Sequence, residues 1–252
     1  MSPVLKFIQI TDSHICRDRE GVLSDCNTYV SLCAVIDQIK KHEWPVAGIL
    51  ATGDLSHDGT ESSYQLLHEV LAPLKTPVYC LPGNHDNVDT MRNTLDGDCI
   101  VSAERILRDD WQFIMVASSV AGETGGAVSD LQMFAIEKYL QQFPNMPTLI
   151  AIHHPPIVLD SPWLDAMSLR DGDIFLDTLA RYPQVKAVIF GHAHQEIQTE
   201  YQHMQIFGCP STCTQFRPHS QTFALDDISA GYRVLNLHQD GQIETHVKRI
   251  PD

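Results

Sequence analysis

Five short stretches of the chain carry side chains that can bind metal ions or move protons, and each stretch follows an apolar run. These side chains are carboxylates, imidazoles and one carboxamide, which are nitrogen and oxygen donors of the kind that bind first-row metal ions. The candidates are Asp12, His14, Asp54, Asn84, His85, His153, His192 and His194. One metal ion needs only three or four protein ligands, so the seven other than His85 predict two ions. Asp54 is the natural bridge between them, since its carboxylate has two oxygens and follows a predicted central strand.

Each motif taken alone also has a plain structural explanation. Residues 83–86, Gly-Asn-His-Asp, follow a proline and are typical of a turn. Asp12 and His14 could belong to an Asp/Ser turn that carries an incidental histidine. The metal-binding interpretation therefore depends on all five stretches occurring at the ends of strands in one chain.

The elements that must position these side chains follow from the apolar pattern. Buried strands are predicted at residues 5–10, 46–52, 78–81, 111–116, 148–152 and 185–190. Helical spacing predicts helices at residues 25–40, 62–71 and 131–142. This alternation predicts a layered α/β fold, in which sites form at the carboxyl ends of strands. Shorter runs at 196–201, 204–209, 232–237 and 243–247 predict antiparallel strands that complete a second sheet. Because no repeat or linker is evident, we expect a single domain over residues 1–252.

Composition narrows the functional classes. The chain is 43% hydrophobic and has a formal net charge of −15, which disfavours nucleic acid as a partner. No apolar run approaches the roughly 20 residues of a membrane helix, and the N-terminus lacks the features of a signal peptide. The seven cysteines are scattered and contain no C-x-x-C pair, which predicts reduced thiols in the cytoplasm.

The motifs D-x-H, G-D, G-N-H-D, H-H-P-P and G-H-x-H, in this order, resemble those of the calcineurin-like metallophosphoesterases. The resemblance spans nearly the whole chain. Within that family it is strongest to the bacterial class III cyclic nucleotide phosphodiesterases, in particular the γ-proteobacterial enzymes for 3′,5′-cyclic AMP, and includes residues 161–165 and 210–216. It implies a four-layer α/β/β/α sandwich with two mixed sheets and hydrolysis of 3′,5′-cyclic AMP to 5′-AMP. The alternatives are another phosphodiester, a 2′,3′-cyclic nucleotide or a phosphomonoester as substrate, or a non-catalytic scaffold on the same fold.

The resemblance also implies a ligand set for two metal ions that activate a water molecule for in-line attack on phosphorus. One ion would be bound by Asp12, His14, Asp54 and His194, and the other by Asp54, Asn84, His153 and His192. His153 is preferred to His154 because the family's ligand lies two residues before the first proline. Iron and manganese are favoured, and zinc accepts the same donors.

His85 is implied to contact the phosphate and to act as general acid for the leaving oxygen. The residues expected to face the substrate are His14, Asp54, Asn84, His85 and His194. Many relatives orient this histidine with an aspartate where this chain has His57, so Asp58 or Asp86 could take that role, or it is absent. The alternative for His85 is a structural histidine that is hydrogen bonded to a carboxylate.

Recognition of the base is less strongly marked in the sequence. Trp163 and Phe216 are candidates to stack on a purine, although a core or lid role explains each equally well. Arg170 and Arg217 could contact phosphate or ribose, and a solvated surface position is the simpler explanation for each.

Overall fold

A computed structural model describes residues 4–97 and 99–251. The strands in chain order are β1 (Leu5–Ile10), β2 (Val22–Leu23), β3 (Cys26–Asn27), β4 (Gly48–Thr52), β5 (Val78–Leu81), β6 (Ile100–Val101), β7 (Arg105–Arg108), β8 (Trp111–Val116), β9 (Thr148–Ile152), β10 (Val185–Phe190), β11 (Ile197–Tyr201), β12 (Met204–Gly208), β13 (Gln215–Phe216), β14 (Leu225–Asp226), β15 (Gly231–Leu237) and β16 (Ile243–Arg249). The helices are α1 (Thr28–His42), α2 (Glu61–Leu71), α3 (Val88–Leu95), α4 (Asp130–Gln142), α5 (Pro162–Asp165) and α6 (Gly172–Leu179), with a 3-10 turn at Ala72–Leu74.

Two six-stranded sheets form the centre of the molecule. The first has the order β16-β15-β1-β4-β5-β6 and the second the order β11-β12-β10-β9-β8-β7. Strands β1, β4, β5 and β6 are parallel, as are β8, β9, β10 and β12, while β15, β16, β11 and β7 pair antiparallel to their neighbours. Both sheets are therefore mixed, as the sequence predicted.

Alternate residues of the central strands belong to different cores, which explains why these strands have apolar residues on both faces. In β1, Phe7 packs between the two sheets, whereas Ile8 and Ile10 face α1, α2 and α3. In β9, Leu149 packs between the sheets and Ile150 faces α4 and α6. Since each sheet is covered by helices on one side and by the other sheet on the other side, the molecule has the expected α/β/β/α layers.

The helices begin at capping residues, which accept hydrogen bonds from backbone amides that have no partner inside the helix. Asn27 caps α1 by accepting from the amide of Val30, and Ser129 forms a capping box with Gln132 at the start of α4. None of the helices in residues 4–97 and 99–251 is both long enough and apolar enough to cross a membrane.

The predicted position of the last two strands is wrong. β15 and β16 do not complete the second sheet; β15 pairs with β1 and extends the first sheet, and β16 lies at its edge. The sequence predicted β12 as an antiparallel strand, but it runs parallel to β10, its neighbour on the side of the sheet centre. The apolar pattern indicates that a segment is a strand, but the pairing of β1 with β15 is decided by packing between segments more than 220 residues apart, such as Leu5 with Leu237.

Arg233 connects the two sheets near this edge. It lies on β15 and is only 1% exposed, and its guanidinium donates to the carbonyl oxygens of Gly208 (2.9 Å) and Ile197 (3.1 Å) in the second sheet. The guanidinium also stacks over Phe207 with 5.0 Å between its central carbon and the ring centroid. A buried cation is therefore stabilised by backbone carbonyls and an aromatic face.

We expect Arg233→Met to lower the free energy of unfolding by about 3 kcal/mol, because two buried carbonyl groups lose a charged donor. Urea unfolding of the metal-free protein measures the change. Arg92→Met, at an exposed arginine of α3, is the control and should change stability by less than about 0.5 kcal/mol. Equal stability of the two variants would contradict the role assigned to Arg233.

Candidate metal centre

The carboxyl ends of five parallel strands from both sheets meet at one edge of the sandwich. Asp12 follows β1, Asp54 follows β4 and Asn84 follows β5 in the first sheet. His153 follows β9, and His192 and His194 follow β10, in the second sheet. The first sheet thus contributes the oxygen donors together with His14, and the second sheet contributes the other imidazoles.

Asp54 lies between imidazoles from the two sheets. Its Oδ2 atom is 3.4 Å from His153 Nε2 and 3.7 Å from His14 Nε2. His14 Nε2 is also 3.3 Å from His194 Nε2, and His194 Nε2 is 3.3 Å from Asp12 Oδ1. Donor atoms of Asp12, His14 and His194 lie within 4.8 Å of one another, and so do those of Asp12, Asp54 and His153. Side chains predicted from four of the five separate stretches therefore converge.

Five of these residues have a left-handed backbone conformation that L-residues rarely adopt. The φ angles are +52° at Asp12, +44° at His14, +48° at Asp54, +61° at His192 and +49° at His194. Each such residue costs about 1–2 kcal/mol relative to an ordinary helical or extended backbone. The turns after β1, β4 and β10 thus direct the donor atoms inward at the expense of local stability, which is a feature of functional sites.

Backbone carbonyls orient two of the histidines. His153 Nδ1 is 2.9 Å from the carbonyl oxygen of Thr52, and His194 Nδ1 is 2.7 Å from that of Thr214. A carbonyl only accepts, so each Nδ1 carries a proton, and in the neutral ring Nε2 is the nitrogen with the free lone pair. Fixing the tautomer in this way is how proteins prepare a histidine to bind a metal ion through its other nitrogen.

Besides His14 Nδ1, three buried polar atoms of the candidate set have no hydrogen-bond partner among residues 4–97 and 99–251. They are Asn84 Oδ1, His153 Nε2 and His192 Nε2. Leaving a buried polar atom unpaired is costly, so such atoms mark positions where a ligand is expected. All three are donor atoms of the predicted second metal site. The residues present therefore fit a metal ion in both position and donor type.

His154 has a different environment from His153, although both are buried. Its Nδ1 is 2.8 Å from Ser118 Oγ and its Nε2 is 3.2 Å from the carbonyl oxygen of Thr124. Both ring nitrogens are thus engaged by the protein, even though His154 lies close enough to His153 and His192 to be grouped with them. This arrangement favours His153 as the ligand and a structural role for His154.

Glycines allow the carboxylates to fit between the loops. A Cβ atom at Gly83 would lie 2.1 Å from Asp54 Oδ1, and one at Gly191 would lie 2.8 Å from Asp12 Oδ2. The chain after β5 therefore passes directly over Asp54, and the chain after β10 passes over Asp12. The amide of His192 then donates to both oxygens of Asp12, at 3.1 and 2.9 Å.

Burial and mutual interaction set the protonation states of the cluster. Burial lowers the pKa of His14 and of His192 to about 3, so both imidazoles are neutral at pH 7. Burial alone would raise the pKa of Asp12, but the charge of His194 brings it to about 2. Burial acts to lower the pKa of His153. The carboxylate of Asp54 has the larger, opposite effect and raises this pKa to about 9. Apart from the proton on His153, these groups are in the form that binds cations.

A family model described as calcineurin-like phosphoesterase matches residues 5–196. The chain belongs to this family. Its phosphoesterase sequence is 39% identical over 247 residues to "3′,5′-cyclic adenosine monophosphate phosphodiesterase CpdA" of Vibrio vulnificus, with 98% of this chain and 90% of the relative covered. It is 36% identical over 249 residues to the protein of the same name from Escherichia coli strain K12, with the same two coverages. A "3′,5′-cyclic-nucleotide phosphodiesterase" of Nostoc is 37% identical over 98% of this chain and 93% of its own length.

Solved structures of more distant phosphoesterases have the same fold. A dimetal phosphatase from Danio rerio superimposes with a TM-score of 0.68 at 15% identity, covering 99% of this chain and 100% of that one. A purple acid phosphatase from yellow lupin gives a TM-score of 0.67 at 16% identity, covering 99% of this chain and 54% of that one. These similarities support the four-layer architecture and carry no information about substrate.

His85 contacts a backbone carbonyl, and its orienting partner, for which the sequence left Asp58, Asp86 or no group open, stays a prediction. His85 Nδ1 is 3.0 Å from the carbonyl oxygen of His57. Asp58 accepts hydrogen bonds from Thr60 and Arg17. Asp86 accepts from the amides of Leu55, Ser56 and Gly83, and so joins the loops after β4 and β5. A carbonyl acceptor leaves no trace in a side-chain motif, so the sequence could not reveal it.

His57 lies in the loop after β4, and its side chain reaches the site. Its ring stacks on that of His85 with 5.2 Å between centroids and 20° between planes, and it lies 5.7 Å from the ring of His14. Ring nitrogens of all three residues lie within 4.8 Å of one another. The phosphoesterase site therefore includes a third imidazole beside His14 and His85.

The two aromatic candidates for base stacking lie beside the centre. Phe216 stacks on His194 at 4.0 Å, and Trp163 meets Phe216 edge to face at 5.1 Å between centroids. Both are partly buried against the core of the second sheet, which agrees equally well with the alternative that they have a structural role in the core. Arg170 is exposed and paired with Glu123, and Arg217 is exposed, so both arginines have the predicted surface position.

Because the backbone at His14 is left-handed, we expect the glycine variant at this position to be more stable than the alanine variant, the reverse of the usual order. We expect His14→Gly to be about 1 kcal/mol more stable than His14→Ala in the metal-free protein, because only glycine adopts a positive φ without strain. His153 is the matched control, since it is a buried candidate ligand without a positive φ. At this control position, His153→Ala should be more stable than His153→Gly by about 0.5–1 kcal/mol. Urea unfolding of the four variants measures both differences, and the same order at both positions would contradict backbone strain at His14.

Proposed function

We propose that this phosphoesterase hydrolyses 3′,5′-cyclic AMP to 5′-AMP at a binuclear metal centre. The observation that carries the proposal is the position of the Asp54 carboxylate between His153 from one sheet and His14 from the other. The substrate assignment is supported by the names of relatives that are 36–39% identical over 98% of this chain. We also propose that residues 1–252 act as a single domain in the cytoplasm.

The first ion would be held by Asp12, His14, Asp54 and His194. The second would be held by Asp54, Asn84, His153 and His192. Each set combines two or three neutral donors with one or two carboxylates, a mixture that suits iron, manganese or zinc. When bound, the two ions would supply positive charge that polarises the phosphodiester and lowers the pKa of a bound water molecule to near neutrality. The protein's part is to hold seven donors in place before any substrate arrives.

Charge balance in this centre favours an anionic substrate. Asp12 and Asp54 contribute two negative charges, and Asn84 and the histidines are neutral ligands, so two divalent cations leave a net positive site. The chain as a whole has a formal charge of −15 and would repel a cyclic nucleotide. The proposed cations reverse the sign of the field only where the phosphate must bind, among His14, Asp54, Asn84, His85 and His194.

His85 would contact the phosphate and protonate the departing 3′-oxygen. It is exposed, its ring meets that of His14 edge to face at 4.9 Å, and its amide donates to Asp54 Oδ1 at 2.9 Å. Since Nδ1 donates to the carbonyl of His57, Nε2 is the nitrogen left to contact the substrate. A donor in this position typically accelerates such a reaction by about 10²–10⁴-fold.

Steady-state kinetics on metal-stripped protein reconstituted with Mn, Fe or Zn tests the function. We expect activity only after reconstitution, with 3′,5′-cyclic AMP preferred over 2′,3′-cyclic AMP, bis-p-nitrophenyl phosphate and p-nitrophenyl phosphate. A preference for another ester would keep the metal centre and overturn the substrate assignment. Absence of hydrolysis in a protein that binds two ions would overturn the enzymatic proposal.

We predict that Asp54→Ala removes both metal ions, because one side chain serves both sites. Metal content per chain after gel filtration, measured by plasma mass spectrometry, should fall from about two to near zero. Asp58→Ala, in the same loop but outside the ligand set, is the control and should keep both ions. Two ions retained by Asp54→Ala would refute the bridge.

We predict that His85→Ala keeps both metal ions and slows hydrolysis according to the leaving group. The rate on cyclic AMP should fall about 10²–10⁴-fold, whereas an activated p-nitrophenyl diester, whose leaving group needs no proton, should lose much less. The exposed surface histidine His203 supplies the control, His203→Ala. Equal losses on both substrates would argue against the general acid.

A further inference from the structure

Three aromatic side chains form a cluster beside the metal centre. Trp163 belongs to α5, Phe216 to β13, and Phe223 to the loop of residues 217–224, which joins β13 to β14 in an antiparallel hairpin. The ring of Phe223 meets Trp163 at 5.4 Å and Phe216 at 5.5 Å between centroids, with 80° and 71° between the planes. Both contacts are edge-to-face, so neither of these rings lies flat against Phe223.

The three rings differ in what they offer to a ligand. Phe216 lies flat on His194, with 4.0 Å between centroids and 12° between planes, so one of its faces is covered. Phe216 and Trp163 are also partly buried against the core of the second sheet. Phe223, in contrast, is 57% exposed. The sequence suggested Trp163 and Phe216 for base stacking, yet the accessible ring of the cluster is that of Phe223.

The position of Phe223 distinguishes it from other exposed aromatic residues. Phe134 on α4 is 65% exposed as well, so exposure alone indicates no function. Two successive ring contacts, of 5.5 and 4.0 Å, connect Phe223 through Phe216 to His194, a candidate metal ligand. In a nucleotide one ribose separates the base from the phosphate. A phosphate at the metal centre would therefore leave its base in the neighbourhood of this aromatic cluster.

Hydrogen bonds hold the hairpin loop in place. The amide of Arg217 donates to the carbonyl oxygen of Ala224 at 2.9 Å, next to Phe223. At the other end of the loop, the amide of Ser220 donates to Ser161 Oγ at 3.0 Å, and Ser161 is a buried residue directly before α5. The loop is thus fixed to the helix that carries the indole of the cluster. An aromatic ring that is already positioned loses little conformational freedom when it binds a ligand.

We propose that Phe223 stacks on the nucleobase of the substrate and so gives the enzyme its preference for cyclic nucleotides over phosphodiesters without a base. This role rests on the proposed function, because it requires a phosphate bound at the metal centre. Every nucleobase has a flat π surface, so stacking separates nucleotides from simple esters and does not separate adenine from guanine.

The first experiment compares three substrates of the Mn-reconstituted protein. They are 3′,5′-cyclic AMP, 3′,5′-cyclic GMP and the 3,5-cyclic phosphate of methyl riboside, which has no base. We expect Phe223→Ala to raise KM about 5–150-fold for both nucleotides, the range that corresponds to loss of one stacked base. Stacking stabilises ground state and transition state alike, so kcat should stay unchanged. KM for the riboside should change less than about twofold, because this substrate has no base to stack.

Two further variants separate stacking from a structural role. Phe223→Trp keeps a flat aromatic surface and should retain the KM of the unsubstituted protein for both nucleotides. Phe134→Ala removes an exposed ring on α4 and should leave KM unchanged for all three substrates. An equal rise of KM for all three substrates in Phe223→Ala, a loss confined to kcat, or failure of Phe223→Trp to retain KM would overturn the stacking role.

The second experiment needs no turnover. Equilibrium dialysis of the Mn-reconstituted protein measures the affinity for 5′-AMP and for ribose 5-phosphate. We expect Phe223→Ala to weaken 5′-AMP binding about 5–150-fold and to leave ribose 5-phosphate binding unchanged. Unchanged 5′-AMP affinity in this variant, or no 5′-AMP binding by the unsubstituted protein, overturns the proposal. If the unsubstituted protein binds 5′-AMP but hydrolyses no cyclic nucleotide, the proposed function fails, while the dialysis still decides the role of Phe223.

Discussion

The burial of the Asp54 carboxylate is the constraint on which the site depends. An isolated ionised carboxylate in the interior is strongly unfavourable and must be paired. Here it faces His153 and His14 and accepts the amide of His85 at 2.9 Å. Those partners come from three strand ends in two sheets, so all of them surround the charge only when the sheets pack face to face.

Bringing these strand ends together costs local stability, and the core between the sheets offsets it. Five candidate ligands have positive φ angles, which together cost about 5–10 kcal/mol. The core that opposes this cost includes Phe7, Leu50, Phe113 and Leu149. Burial of a large apolar side chain contributes about 1.5–3 kcal/mol. The burial of three or four such residues therefore contributes a free energy similar in size to the cost of the strained turns.

The sequence predicted most of the fold because the central strands are buried on both faces. Strands β1, β5, β8, β9 and β10 have the predicted bounds, and helix α1 begins three residues later than predicted. The partner of β15 was not predictable, since it depends on contacts between distant segments. The short helix α3 was not among the predicted helices, although Asn87 caps it. Side chains with metal chemistry were evident from the motifs, whereas the carbonyls of Thr52, His57 and Thr214 were not, because any residue type supplies such a group.

The same carbonyl contacts make metal affinity sensitive to loops that never touch a metal ion. The position of the loop of residues 209–214 depends on Asp12 at one end and on His194 at the other. On a chain with a formal charge of −15, the attraction of a phosphate depends on the cations that these residues would hold. Under the proposed function, a small shift of this loop would change substrate attraction and catalysis together, because both would depend on metal occupancy. Metal affinity is thus the quantity that would connect this loop to the proposed reaction.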